Sequence, residues 1–152
     1  ATLLALTTIA LVAGATLGNY GQEAMNYFNP SEVAASEWLY STAPPGSLLI
    51  AADNNYPWAF VHYNEYNYEF MDAPASASKA LLSAPVRNVT RTMARYPGPS
   101  YLILTDSQEV SIRLAGLWPS GAYQSMVHAL LASGKLKVVY RNGDSMVLQL
   151  AS

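Results

Sequence analysis

Apolar and polar positions fall into blocks along the chain, and the blocks define its elements. Residues 1–17, ATLLALTTIALVAGATL, carry no charge. Asn29-Pro30-Ser31-Glu32 then has the marks of a helix start, because Asn29 can cap, Pro30 suits the first turn and Glu32 stands where a capping box needs it. Ala35, Trp38, Leu39 and Thr42 share one face of that helix, and Ala43-Pro44-Pro45-Gly46 ends it. Leu48 to Ala52 is a continuous apolar run between Gly46 and Asp53, the pattern of a central strand covered on both faces. Tyr101-Leu102-Ile103-Leu104 repeats that pattern after a break at Pro97-Gly98-Pro99.

Helical spacing fills the rest of the chain. Asp72 to Ser76 reads as a helix start, predicting one helix near 75–83 and another over 85–96. In the second, Val86, Val89 and Met93 face one way, while Arg87, Arg91 and Arg95 form the stripe of a solvated face. Asp106 and Glu109 have capping-box spacing, and Val110, Leu114 and Leu117 mark a helix that breaks over 116–119. Tyr123, Met126, Val127, Leu130 and Leu131 fit one helix face, with Gly134 at the C-cap. Strands at 135–140 and 145–150 join through Asn142-Gly143, a strong hairpin signal. Helices between buried strands predict an α/β fold: strands at 47–52, 100–105, 136–140 and 145–150 in one mostly parallel sheet, helices on both faces, and a C-terminal antiparallel hairpin.

The uncharged start changes the picture of where the domain sits. A 17-residue helix spans about 26 Å, short of the roughly 30 Å hydrocarbon core, so residues 1–18 read as the end of a transmembrane helix and 19–152 as the domain outside it. Ala10, Gly14 and Gly18 make a small-residue face suited to packing against another membrane helix. A signal-peptide core cut at Ala13-Gly14-Ala15 is a rival reading that lacks the basic flank. A buried soluble helix is another. No Lys or Arg occurs before Lys79, which favours the extracytoplasmic side.

Composition narrows the chemistry mainly by exclusion. Only 12% of residues are charged, about half the usual share, so part of the chain is expected not to face water. A net charge of −2, with seven acidic residues preceding the first basic one, argues against nucleic acid. The absence of cysteine removes disulfides and thiol chemistry. Nucleotide-loop, serine-hydrolase and zinc-protease motifs are missing too, so no catalytic residue, cofactor or metal is assigned. His62 with Glu65 and Glu69 offers three potential ligands but no helix to align them.

Candidate binding residues gather after the first strand, where ligands of open α/β sheets bind. Asp53, Asn54, Asn55, Tyr56, Trp58, His62 and Tyr63 are the candidates, with Tyr66 and Tyr68 beyond them. Aromatic rings beside amides and a carboxylate suit a sugar, whose C–H faces stack while its hydroxyls hydrogen-bond. The competing reading is an ordered crossover packed on the sheet, with Trp58 and Tyr63 buried and Asp53 bonded to its own turn.

The run from Asn19 through Tyr68 (NYGQEAMNYFNPSEVAASEWLYSTAPPGSLLIAADNNYPWAFVHYNEYNY), with VRNVTRTMA, YLILT and LLASGKLKVVYRNGDSMVLQL, resembles the carboxyl-terminal end of large multipass actinobacterial membrane glycosyltransferases of the protein mannosyltransferase and arabinosyltransferase class. The resemblance rests on overall pattern. It implies a non-catalytic extracytoplasmic domain at the cell membrane, partnered by upstream membrane helices and by a glycan acceptor or a polyprenyl-phosphate-linked sugar. In that class the catalytic acid lies in an early loop that this chain does not contain. A stand-alone membrane-anchored carbohydrate-binding module and a pilin-like subunit are the alternatives.

Overall fold

The computed structural model describes residues 2–20, 27–72 and 75–151. Its elements are α1 (Thr2–Tyr20), α2 (Pro30–Thr42), β1 (Leu48–Ala51), β2 (Asn67–Phe70), α3 (Ala75–Ser83), α4 (Pro85–Arg95), β3 (Ser100–Leu104), α5 (Asp106–Leu114), α6 (Ala122–Ala132), β4 (Leu136–Asn142) and β5 (Ser145–Leu150). The strands form one sheet in the order β2-β1-β3-β5-β4. β1 runs parallel to β2 and β3, whereas β5 runs antiparallel to β3 and β4. The fold is therefore the expected α/β arrangement, with one strand more than the apolar pattern announced. β2 escapes that pattern because it is an edge strand in which exposed Asn67 and Glu69 alternate with half-buried Tyr68 and Phe70.

Alternation across the sheet builds two cores. Leu48, Ile50, Leu102, Leu104, Met146 and Leu148 point to one face, where α4 contributes Val89 and Met93 and α6 contributes Met126 and Leu130. Leu49, Ala51, Tyr101, Ile103 and Val147 point to the other, where α2 contributes Ala35 and Leu39 and the β1–β2 connection contributes Tyr56 and Tyr66. All four residues of β1 are buried, as a strand covered on both faces requires.

The capping box at α2 forms as its spacing predicts. Asn29 Oδ1 accepts the Ser31 and Glu32 N–H groups, and Glu32 Oε2 accepts the Asn29 N–H at 2.8 Å. The box expected at α5 does not form. Thr105 is the N-cap and makes no side-chain cap bond, and Glu109 instead accepts from Gln124. Glu32 takes over, its Oε1 accepting the Ser107 N–H at 2.6 Å, so one buried carboxylate serves two helix starts. The hairpin turn is also displaced by one residue. Asn142 pairs with Ser145, leaving Gly143 and Asp144 as the loop, with Gly143 at φ +57°, as a turn with glycine first requires.

From Thr2 onward the uncharged N-terminal stretch is helical, and its side chains at residues 7–16 are exposed. Among the described residues no helix is long and apolar enough to cross a membrane. The expected boundary between Gly18 and Asn29 lies partly outside the described residues, as does the predicted helix start at Asp72 to Ser76.

Gln108 ties the two central strands together. Its Oε1 accepts the Ala52 N–H at 3.0 Å, and its Nε2 donates to the Ile103 carbonyl at 3.3 Å, wholly out of solvent. Replacing it by Ala strands both backbone groups, so Gln108→Ala is expected to lose about 3 kcal/mol in urea unfolding, whereas exposed Gln124→Ala loses under about 1 kcal/mol.

Candidate functional site

The carboxyl ends of β1 and β3 flank the point where the chain reverses its direction of travel across the sheet, the usual crevice for a ligand. Here the crevice is filled by the protein's own polar groups. Asp53, 3% exposed, accepts the Asn55 N–H at 2.6 Å and the Ser111 hydroxyl at 3.0 Å. Asn55 Nδ2 donates to the Ser107 carbonyl, and the Ser107 hydroxyl donates back to the Asn55 carbonyl. Tyr56 is 2% exposed within the α2-side core. Asp53, Asn55 and Tyr56 thus close the crevice between β1 and β3, and Asn54 alone of that group is exposed.

The chain then turns outward. Trp58, His62 and Tyr63, the remaining candidates, are exposed on the connection to β2, with Trp58 at 46% and Tyr63 at 68%. Trp58 (φ 58°) and Phe60 (φ 68°) are the non-glycine residues with left-handed backbone among those described. Such a conformation costs on the order of 1–3 kcal/mol per residue and clusters at functional sites. It is held by successive turns, with Ala59 N–H bonded to Tyr56 O, Val61 N–H to Trp58 O and Tyr63 N–H to Phe60 O. The Tyr40 hydroxyl locks the turn from α2 by donating to the Trp58 carbonyl at 3.0 Å.

The result is an aromatic ledge along β2. Tyr63 and Tyr68 lie nearly parallel, 7° apart with centroids at 6.4 Å, and Tyr68 and Phe70 are 14° apart at 6.3 Å. Phe60 leans on this row, 5.2 Å from Tyr68 and 5.4 Å from Phe70. The rings border an open hollow of about 500 Å³ that Asn64 and Asn67 also line, the Asn67 Nδ2 donating to the Tyr96 hydroxyl at 2.6 Å. Burial raises the Tyr40 and Tyr68 hydroxyls well above the ordinary phenol range. His62 Nδ1 lies 3.4 Å from Glu65, and no group of three metal-ligating side chains occurs among the described residues.

Phe60, Asn64, Asn67 and Phe70 join the ledge beyond the candidates that the sequence singles out. The signal was present, since Tyr66, Tyr68 and Phe70 recur at every second position and NYEF alternates polar with aromatic, the period of a strand with one ringed face. A second group is brought together only by the fold, and Asp106 belongs to it although its spacing marks it as a helix cap. Asp106, His128, Arg141 and Asp144 line a cavity of about 240 Å³ at the carboxyl end of β3. Burial raises the Asp106 carboxyl above the usual range, with the Asp144, Glu32 and Glu109 carboxylates adding to the effect.

Compared with protein-family models, characterised proteins and solved structures, the chain finds no match in any of the three.

Two measurements test this geometry. Tyr56→Ala is expected to lose about 3–5 kcal/mol of stability, as for a buried aromatic, while Tyr63→Ala changes it by less than about 1 kcal/mol. The raised Asp106 value means that the folded chain holds this proton more tightly than the unfolded chain does. Its contribution to stability is complete below the ordinary aspartate range and is lost as pH rises through the raised value. Asp144→Asn is therefore expected to move the Asp106 titration down in carboxyl-carbon NMR, and to make melting at neutral pH higher relative to acid pH than in the parent.

Proposed function

We propose that this chain is a non-catalytic extracytoplasmic domain of a polyprenyl-phosphate-sugar-dependent membrane glycosyltransferase, and that it holds acceptor glycan on the aromatic ledge. The observation that carries this reading is the row of near-parallel rings of exposed Tyr63 and half-buried Tyr68 and Phe70, bordering an open hollow also lined by Asn64 and Asn67. Ring faces cover the C–H surfaces of a sugar, and amides and phenols bond its hydroxyls. The resemblance of the chain to the carboxyl-terminal end of such enzymes supplies the enzyme and the membrane. In this reading α1 is the membrane-facing helix, and the domain helps deliver or retain a growing glycan without taking part in the transfer. A stand-alone anchored module would use the same ledge and would differ in having no upstream catalytic helices.

Affinity on such a surface is weak, because each hydrogen bond to a sugar replaces one to water. Neutral cell-wall oligosaccharides, added while amide resonances are recorded, are expected to shift residues 60–70 and to leave Asp53 and Tyr56 in place. Tyr63→Ala with Tyr68→Ala should weaken binding about tenfold or more, equivalent to about 1.4 kcal/mol. Unmoved resonances at millimolar sugar would remove the ledge as a glycan site.

A further inference from the structure

The tip of the β1–β2 connection differs chemically from the ledge beside it. Residues 57–61, Pro-Trp-Ala-Phe-Val, carry no charge, and Trp58, Phe60 and Val61 are 46%, 37% and 57% exposed. Val61 has neither a ring to stack on a sugar nor a polar atom to bond its hydroxyls. Trp58 makes no ring contact within the described residues, unlike Phe60, Tyr63, Tyr68 and Phe70. The left-handed backbone at Trp58 and Phe60 and the Tyr40 bond to the Trp58 carbonyl fix the shape of this tip, in which Phe60 keeps one side against Tyr68 and Phe70 and leaves the rest exposed. An exposed indole, phenyl ring and aliphatic group within four positions match the lipid headgroup boundary, where aromatic rings settle and aliphatic groups reach the acyl chains.

The same chain presents a second uncharged apolar surface on α1, where Ile9, Leu11 and Val12 are 66%, 73% and 60% exposed. We propose that Trp58, Phe60 and Val61 form a second membrane contact that sets the tilt of the domain on a zwitterionic phospholipid surface. This inference rests on the reading of α1 as membrane-facing. Once α1 holds the chain at the bilayer, a contact too weak to bind alone is populated through its high effective concentration. No Lys or Arg lies in the connection, which carries Asp53 and Glu65, so attraction to anionic headgroups has no source here and insertion depends on apolar area.

The absence of cysteine makes the test direct. Single cysteines at Leu11, Val61 and Leu117 of the whole chain, spin-labelled in phosphatidylcholine nanodiscs, report depth through collisions with oxygen and with a water-soluble nickel chelate. Leu117, 41% exposed on the loop after α5, is the control. The expected result is oxygen-favoured relaxation at positions 11 and 61 and chelate-favoured relaxation at 117. Adding Trp58→Ala and Phe60→Ala should return position 61 to the aqueous pattern. A water-like position 61 beside a lipid-like position 11 overturns the tip contact and leaves the membrane reading intact. Water-like behaviour at both overturns the two together. Shielding of position 61 from both reagents would assign the tip to a protein or glycan, and lipid-like behaviour at all three would mean unspecific adsorption; either result overturns the proposal.

Discussion

Buried backbone groups at the carboxyl ends of β1 and β3 must find partners, and this requirement organises the domain. Gln108 meets the Ala52 N–H and the Ile103 carbonyl with one amide, while Glu32, 1% exposed, accepts N–H groups from the starts of both α2 and α5. Each of these groups would cost about 1–3 kcal/mol if left unmet away from water. Asp53, Asn55, Ser107 and Ser111 complete the mesh. Because side chains from α2, α5 and the β1–β2 connection all take part, the network fixes where those elements sit on the sheet.

Closing the crevice in this way moves the open chemistry elsewhere. Once the polar end of β1 is committed to internal bonds, the connection to β2 is free to lead outward, and its aromatics divide between core and surface. Tyr56 and Tyr66 pack beneath it, at 2% and 8% exposure, and Tyr40 holds it from α2. Tyr63, Tyr68 and Phe70 then line up along an edge strand, where the free side of the sheet leaves room for a ligand. The strain at Trp58 and Phe60 is tolerated because the turn bonds and the Tyr40 hydroxyl over-determine the backbone there.

The two edges of the sheet differ in a related way. β4 carries Lys137 and Arg141 on exposed positions and a register shift between Val138 and Tyr140, features that discourage pairing with another strand. β2 has neither a lysine nor a bulge, and its defence is its short length of four residues together with the aromatic connection beside it.

Local sequence determined much of this protein. The apolar runs at Leu48–Ala51 and in β3, the capping box at Asn29 and Glu32, the periodic face of α6 and the C-terminal hairpin were all legible, because each follows from contacts within a few residues or from a uniform two-sided burial. Only the tertiary structure decided which polar groups are occupied. Asp53, Asn54 and Asn55 look alike in the chain, yet the first and third bond to α5 more than fifty residues away, and Glu32 caps a helix that begins at a distant position. The aromatic stretch was equally undetermined. Tyr56 and Tyr63 are the same residue in similar surroundings, and whether a ring becomes core or surface depends on the sheet face above it, which is assembled from strands that sequence spacing does not bring together.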